Sequence, residues 1–221
     1  MTLSIITWTN NPEQYAQMKA SVTFPAEFIA VGSEARSMAE AYTLGTARAS
    51  HPWKIYCHQD VRFFCPDLPE QLAGLPTDVG LAGVAGSAET TSMSWWHTRR
   101  ESWRGGVIQG AAPEAFGPCG PVNNLDGLLL ATDKPLAFPA LPGLHFIDQW
   151  MCREAEAQGW RNWVIPATVQ HLSQGTMDAA YYANMLRYQR RWFPGRGLAD
   201  LPRMFLGLDD LQKQMALVHD T

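Results

Sequence analysis

Along the first half of the chain, short apolar runs alternate with segments whose apolar residues recur at helical spacing. Leu3 to Trp8 reads as a buried strand that ends in the polar turn Thr9-Asn10-Asn11-Pro12, and Glu13 to Ala20 carries a helical pattern. Glu27 to Val31 is a second strand. Ser37 can then cap a helix through Ala49 in which Met38, Ala41, Tyr42 and Leu44 recur at helical spacing. Pro52 follows its end, and Lys54 to Cys57 is the third strand. A strand-helix-strand-helix-strand order requires right-handed crossovers, hence an α/β fold with a mainly parallel sheet and helices on both faces. This is a nucleotide-binding layout.

The middle is less regular. Val79 to Val84 reads as a strand, Ser87 to Pro121 as a long loop rich in Gly, Pro and Trp that would bind substrate, and Leu125 to Ala131 as another strand. His145-Phe146-Ile147-Asp148 leads into a helix from Gln149 to Gln158, stopped by Gly159. Trp163 to Ile165 and Thr168 to Gln170 give one short strand broken at Pro166, and His171-Leu172-Ser173 opens a loop. Asp178 to Arg191 is a helix, and a weak amphipathic helix follows with Leu201, Met204, Phe205, Leu208 and Leu211 on its apolar side. Two parts are expected: a nucleotide-binding and catalytic unit over 1–175 and a helical extension over 176–221 packed on it.

Composition narrows the partners. A formal net charge of -4 with no basic stripe excludes nucleic acid as the main partner, although Arg99-Arg100 and the arginines from Arg187 to Arg196 are available to a substrate phosphate. No stretch approaches the roughly 18 apolar residues that cross a bilayer, and no signal-type run opens the chain, so the expected location is cytoplasmic. The four cysteines, Cys57, Cys65, Cys119 and Cys152, form no Cys-x-x-Cys pair and are expected to be buried, reduced thiols. Nine tryptophans are many for 221 residues; Trp can fill cores or stack on sugars and bases, and the Trp95-Trp96 pair is the best candidate for stacking.

Directly after the third strand comes His58-Gln59-Asp60, where a carboxylate and an imidazole stand at the carboxyl end of a strand. Such a pair can share a metal or a phosphate, or Asp60 can make a turn while His58 bonds to backbone. Both readings stand at this point.

The order Ser-Ile-Ile-Thr in the first strand, Met38-Ala39-Glu40-Ala41-Tyr42, then His58-Gln59-Asp60-Val61 resembles family-2-type glycosyltransferases. More narrowly, it is similar to the branch in which His-Gln-Asp-Val replaces Asp-x-Asp. Gly83-Val84-Ala85-Gly86, Leu125-Asp126-Gly127, His145-Phe146-Ile147-Asp148 and His171-Leu172-Ser173 continue the resemblance in order, over residues 3 to 175. It implies a GT-A fold, a nucleotide diphosphate sugar as donor, a glycan or other hydroxyl acceptor, and a divalent cation, Mn²⁺ or Mg²⁺, at the diphosphate.

On that resemblance Asp60 is the metal ligand, with His171 approaching the metal or pyrophosphate; a loop imidazole bonded to backbone is the other reading of His171. His58 stands where the family has its first Asp, and as a softer donor it favours Mn²⁺ or else contacts ribose or phosphate. Asp148 falls where inverting members place the general base, or it is simply an N-cap whose anion the helix stabilises. The resemblance places base and ribose near Thr7, Thr9 and Asn10 and near Ser33 and Ser37, with Glu34 reading the base or lying on the surface. Trp95 and Trp96, with Arg99-Arg100, would form a flexible lid on the sugar, and Asp126 would orient a sugar or bond to the Asn123-Asn124 turn.

The expected activity is sugar transfer by direct displacement with inversion. A catalytically silent nucleotide-sugar or glycan binder is the alternative, supported by His58 and by Trp150, where many relatives carry an acid. A nucleotidyltransferase fits less well, because Thr9-Asn10-Asn11-Pro12 is no Gly-rich basic loop. A homo-oligomer is compatible with the sequence.

Overall fold

The computed structural model describes residues 1–173 and 177–194. The elements run β1 (Leu3–Trp8), α1 (Pro12–Ser21), β2 (Ala26–Val31), α2 (Met38–Arg48), β3 (Lys54–Cys57), β4 (Val61–Phe63), α3 (Leu68–Ala73), β5 (Val79–Gly83) and β6 (Ala85–Ser87). They continue with β7 (Trp103–Gln109), β8 (Ala112–Gly117), β9 (Gly120–Val122), β10 (Asn124–Leu125), β11 (Leu129–Thr132), α4 (Ile147–Ala157), β12 (Arg161–Val164), β13 (Val169–His171) and α5 (Ala179–Trp192).

A seven-stranded sheet in the order β2-β1-β3-β11-β5-β12-β9 forms the centre. Strands β1, β2 and β3 are mutually parallel, as the alternating strand and helix pattern requires, while β11 inserts antiparallel between β3 and β5. Successive residues of a strand face opposite sides of the sheet, so each strand feeds two cores. Ile6, Tyr56, Leu81 and Leu130 join α2, α4 and α5 on one face; Ile5, Ile55, Ala82 and Leu129 join α1 and α3 on the other. Helix α2 lies tight on β1 because Gly45 has no side chain; a Cβ there would collide with Ile6.

Local signals explain the helix starts. Asn11 accepts the N–H groups of Glu13 and Gln14, with Pro12 pre-set for the first turn. Ser37 accepts the Glu40 N–H, as its sequence position predicts, and the Glu40 carboxylate returns to the Arg36 N–H.

The middle of the chain corrects the expectation of a long loop over Ser87 to Pro121. It contains the hairpin β7–β8 as well as β9, and the hairpin belongs to a second sheet in the order β10-β6-β7-β13-β4, with β8 on β7. Glycines concealed these strands: a Cβ on Gly105, at φ 79°, would collide with the Val84 carbonyl, and one on Gly106 would lie 2.6 Å from the Glu114 carbonyl. The glycines permit close backbone approach within a sheet; they do not end it.

Three smaller expectations also change. Leu125 to Ala131 splits into β10 and β11 in different sheets, with Asp126 and Gly127 in the turn between them. The strand broken at Pro166 is two strands, β12 in the central sheet and β13 in the second. Cys119 is exposed rather than buried, while Cys57, Cys65 and Cys152 are buried and reduced.

Helix α5 places Tyr181, Tyr182, Met185 and Tyr188 in the core shared with α4. The amphipathic segment expected from Leu201 onward, and Arg196, lie outside the described residues.

Candidate active site

Both sheets end at one cavity of about 760 Å³. Its floor is the turn after β3. The backbone of His58 is held by its N–H to the Leu128 carbonyl (3.2 Å), and the turn closes with Val61 N–H donating to the His58 carbonyl at 3.4 Å. Strand β13 runs antiparallel to β4 with His171 opposite Val61, which brings an imidazole from more than a hundred residues away beside Asp60. His171 Nε2 and Asp60 Oδ2 are 3.5 Å apart, and the rings of His58 and His171 meet edge to face at 5.6 Å.

One ligand atom from each of His58, Asp60 and His171 lies within 4.8 Å of the others, a set that can hold a metal ion. Two nitrogens and one carboxylate suit Mn²⁺ better than the all-oxygen shell that Mg²⁺ prefers. Burial, then the neighbouring His171, push the pKa of His58 down against the pull of Asp60, which favours the neutral imidazole, the form that binds a metal ion. Burial opposes ionisation of Asp60, but the Ser173 hydroxyl and the two histidines outweigh it and hold its pKa below the usual value.

Gln59, between His58 and Asp60, ties this turn to the end of β1. Its Oε1 accepts from Thr9 Oγ1 (2.9 Å) and from the N–H groups of Asn10 (3.0 Å) and Asn11 (2.9 Å), and its Nε2 donates to Asn10 Oδ1 at 2.7 Å. Thr9 and Asn10 therefore stand beside the candidate metal site, engaged with Gln59, while Trp8 and Gln14 reach the cavity wall. Thr7 is fully buried against Cys57 Sγ at 3.4 Å. Ser37 is occupied as the α2 cap, and Ser33 is exposed outside the cavity lining. Glu34 lies on the surface, accepting from the Gly32 N–H and pairing with Arg48 at 3.1 Å.

At the other end stands Asp148, in the first turn of α4. The residue before that helix, Phe146, has φ 69°, and is the one non-glycine with positive φ among the described residues. Such backbone costs on the order of 1 kcal/mol or more and persists where packing enforces it. Here the Phe146 ring is held by Tyr181 (5.1 Å) and Tyr188 (5.8 Å) of α5. Asp148 packs directly over Gly127, where a Cβ would come within 3.2 Å of the Asp148 Cβ.

Burial, and next the charge of Asp126, push the pKa of Asp148 up to about 7; the N–H and side chain of Gln149 oppose them. The expectation that the helix N-terminus would favour the Asp148 anion is thus reversed, because desolvation and a second carboxylate outweigh a single helix end. Nor does Asp126 bond to the Asn123-Asn124 turn. It accepts from Trp95 Nε1 at 2.7 Å and from the Leu128 N–H at 2.9 Å.

Trp95 is buried, 5% exposed, and forms the centre of an aromatic wall with Trp103 (5.0 Å), Phe116 (5.4 Å) and Trp96 (6.3 Å). Trp95 is thus packed into the cavity wall rather than lying out over the cavity. Arg99 pairs with Glu89 away from the cavity, and Arg100 is not in the lining either. Trp103, Phe116, Gln109 and Glu114 reach the cavity from β7 and β8, and the last three were not singled out in the sequence; their signal was the alternation of Glu114 and Phe116, obscured by the surrounding Gly and Pro. Among the described residues lining the cavity there is no Lys or Arg, but there are five carboxylates, Asp60, Glu114, Asp126, Asp148 and Asp178.

A mixed sheet whose parallel half ends in an ion-ready turn, facing a carboxyl across one cavity, is the layout of a GT-A fold. Residues 4–188 match the family described as "Glycosyltransferase like family", and the chain belongs to that family. The fold is similar to GalNAc-T7, solved with UDP, GalNAc and Mn²⁺, at TM-score 0.60 and 10% identity over 88% of this chain and 48% of that one. It is also similar to the mannosyltransferase PcManGT of Pyrobaculum calidifontis, solved with GDP-Man and Mn²⁺, at TM-score 0.51 and 11% identity over 84% of this chain and 61% of that one. The chain thus spans about half the length of the first and less than two thirds of the second. No curated protein matches it in sequence. No helix among the described residues is long and apolar enough to cross a membrane.

Proposed function

We propose that this protein is a cation-assisted glycosyltransferase that moves a sugar from a nucleotide diphosphate to an acceptor hydroxyl by direct displacement with inversion. The observation that carries this reading is the pairing, in one cavity, of the cluster His58, Asp60 and His171 with Asp148, a carboxyl whose pKa is raised to about 7. The two proteins of similar fold, both solved with Mn²⁺ and one with a nucleotide-sugar, support it. So does the motif His58-Gln59-Asp60-Val61, read as the Asp-x-Asp replacement.

A divalent cation held by Asp60, His58 and His171 would offset the charge gathering on the departing diphosphate. The rest of the chemistry belongs to the chain. No lysine or arginine among the described lining residues faces a diphosphate, so neutralising its charge would fall to the cation that Asp60, His58 and His171 would hold. Asp148 takes the proton of the acceptor hydroxyl as the oxygen attacks the anomeric carbon. A base is most effective with a pKa near the working pH, and about 7 meets that requirement. Gly127 leaves room above the Asp148 carboxyl, and Phe146 sets the direction from which it enters the cavity.

Calorimetric titration with UDP, dTDP and GDP, with and without Mn²⁺, tests the donor end. Transfer from the matching nucleotide-sugar, lost in Asp148→Asn while nucleotide binding is retained, tests the rest. A silent binder of the same fold would bind nucleotide with Mn²⁺ and show no turnover in either form.

A further inference from the structure

We infer that the aromatic end of the cavity is a subsite for an uncharged sugar ring of the acceptor, with Trp96 as its stacking platform and Glu114 binding its hydroxyls, and that acceptors carrying carboxylate, phosphate or sulfate beside the reacting hydroxyl are excluded. This rests on the glycosyl-transfer reading, which leaves the acceptor unnamed.

Three features of the wall point to a sugar. Trp95, Trp103 and Phe116 lock one another in place with centroid separations of 5.0 to 5.5 Å, so the surface they build is rigid before any ligand arrives. Trp96 stands on that base at 82° to Trp95 and lines the cavity, yet remains 41% exposed. An indole face held open at a cavity wall, with its backbone pinned in a tight turn by Thr98 N–H to the Trp95 carbonyl (3.1 Å), offers a flat apolar surface to the C–H face of a pyranose. Glu114 lies two residues before Phe116 on β8, so both side chains project from the same face of the hairpin into the cavity. A carboxylate accepts hydrogen bonds only, and the hydroxyls at a sugar's edge are donors that match it. Apolar wall and a few placed acceptors together are how small-molecule pockets fix orientation.

Position ties this wall to the reacting end. The Trp95 indole donates to Asp126, and the charge of Asp126 acts on Asp148. The wall is thus tied through Asp126 to the carboxyl of the proposed base.

Charge decides the class. Glu114, Asp126, Asp148 and Asp178 line the cavity beyond the ion-binding turn, and no lysine or arginine among the described lining residues faces them. An anionic substituent would meet the carboxylates of Glu114 and Asp126 with no lysine or arginine among the described lining residues to pair with, whereas an uncharged ring meets acceptors for its hydroxyls.

The test uses the whole chain with UDP and Mn²⁺ present, following tryptophan fluorescence on titration with neutral disaccharides (maltose, cellobiose, lactose, chitobiose) and with a glucuronate-terminated disaccharide and maltose 1-phosphate. At least one neutral sugar is expected to bind at least about tenfold more tightly than either anionic one. Trp96→Ala should weaken that neutral sugar about tenfold and Glu114→Gln several-fold, and Glu114→Lys should narrow the gap to the anionic sugars. Trp96 and Glu114 are both exposed, so these variants are expected to fold, which their thermal melts check. Equal or tighter binding of an anionic sugar, indifference to both Trp96→Ala and Glu114→Gln, or no sugar binding at all would each overturn the subsite. Repeating the titration without nucleotide separates the two ideas: sugar binding without any nucleotide binding keeps the subsite and removes the transfer reading.

Discussion

The two ends of the cavity are built by different means. The candidate ion-binding end rests on β1, β2, β3 and their crossover helices, with one glutamine, Gln59, knitting two strand ends together and only His171 brought in from afar, on β13. The opposite end is assembled from the β7–β8 hairpin, the turn between β10 and β11, the strained start of α4 and the aromatic face of α5. Chemically they diverge as well. One concentrates hard and borderline donors within 4.8 Å; the other spreads aromatic faces around a carboxyl that resists ionisation. A transferase needs both, since the leaving group wants charge neutralised while the acceptor wants a base that is only just unprotonated.

The contrast is broken most severely by Asp148→Asn. Transfer should fall about 10²- to 10⁴-fold in kcat, with Mn²⁺-dependent nucleotide binding unchanged by calorimetry. Asp60→Ala should do the reverse, weakening Mn²⁺-dependent nucleotide diphosphate binding by at least about tenfold to a hundredfold. Unchanged Mn²⁺ dependence in that variant would remove Asp60 from the ligand set.

The pH dependence follows from the direction of the Asp148 shift. A base must be unprotonated, so kcat should fall about tenfold for each unit below about pH 7 and level off above it. The linked stability has the opposite sense: with its folded pKa raised above 3.8, Asp148 binds its proton more tightly folded than unfolded, and that contribution is lost as pH rises through about 7. Asp148→Asn should therefore melt higher than the parent at pH 8, with the gain vanishing below pH 4.

The smallest effect sharpens the comparison at Phe146. Phe146→Ala removes the packing on Tyr181 and Tyr188 but keeps a side chain at φ 69°, whereas Phe146→Gly removes the packing and relieves the backbone. Glycine should be the less destabilising of the two by about 1 kcal/mol in denaturant unfolding. An alanine variant as stable as the glycine one would mean that the turn is unstrained.

The same division explains what could be read along the chain. Strands β1 to β3, helices α1 and α2, the Ser37 helix start and the turn carrying His58 and Asp60 were all legible, because periodicity and capping are local. So was the placement of Asp148 beside a helix start. Hidden from the sequence were β7 and β8, whose glycines look like loop until a partner backbone is seen pressing on them. Hidden too was Gln59, whose partners lie nearly fifty residues back.

By itself, then, the order of residues determined a parallel α/β half, a set of helix ends and a list of candidate donors, since each depends on neighbours a few positions apart. Only the tertiary structure decided that His171 would stand beside Asp60, that burial and then Asp126 would push the pKa of Asp148 up, and that Trp95 would be packed into the cavity wall. Those outcomes depend on sheet register and on desolvation, and both arise only when segments distant in sequence exclude water together.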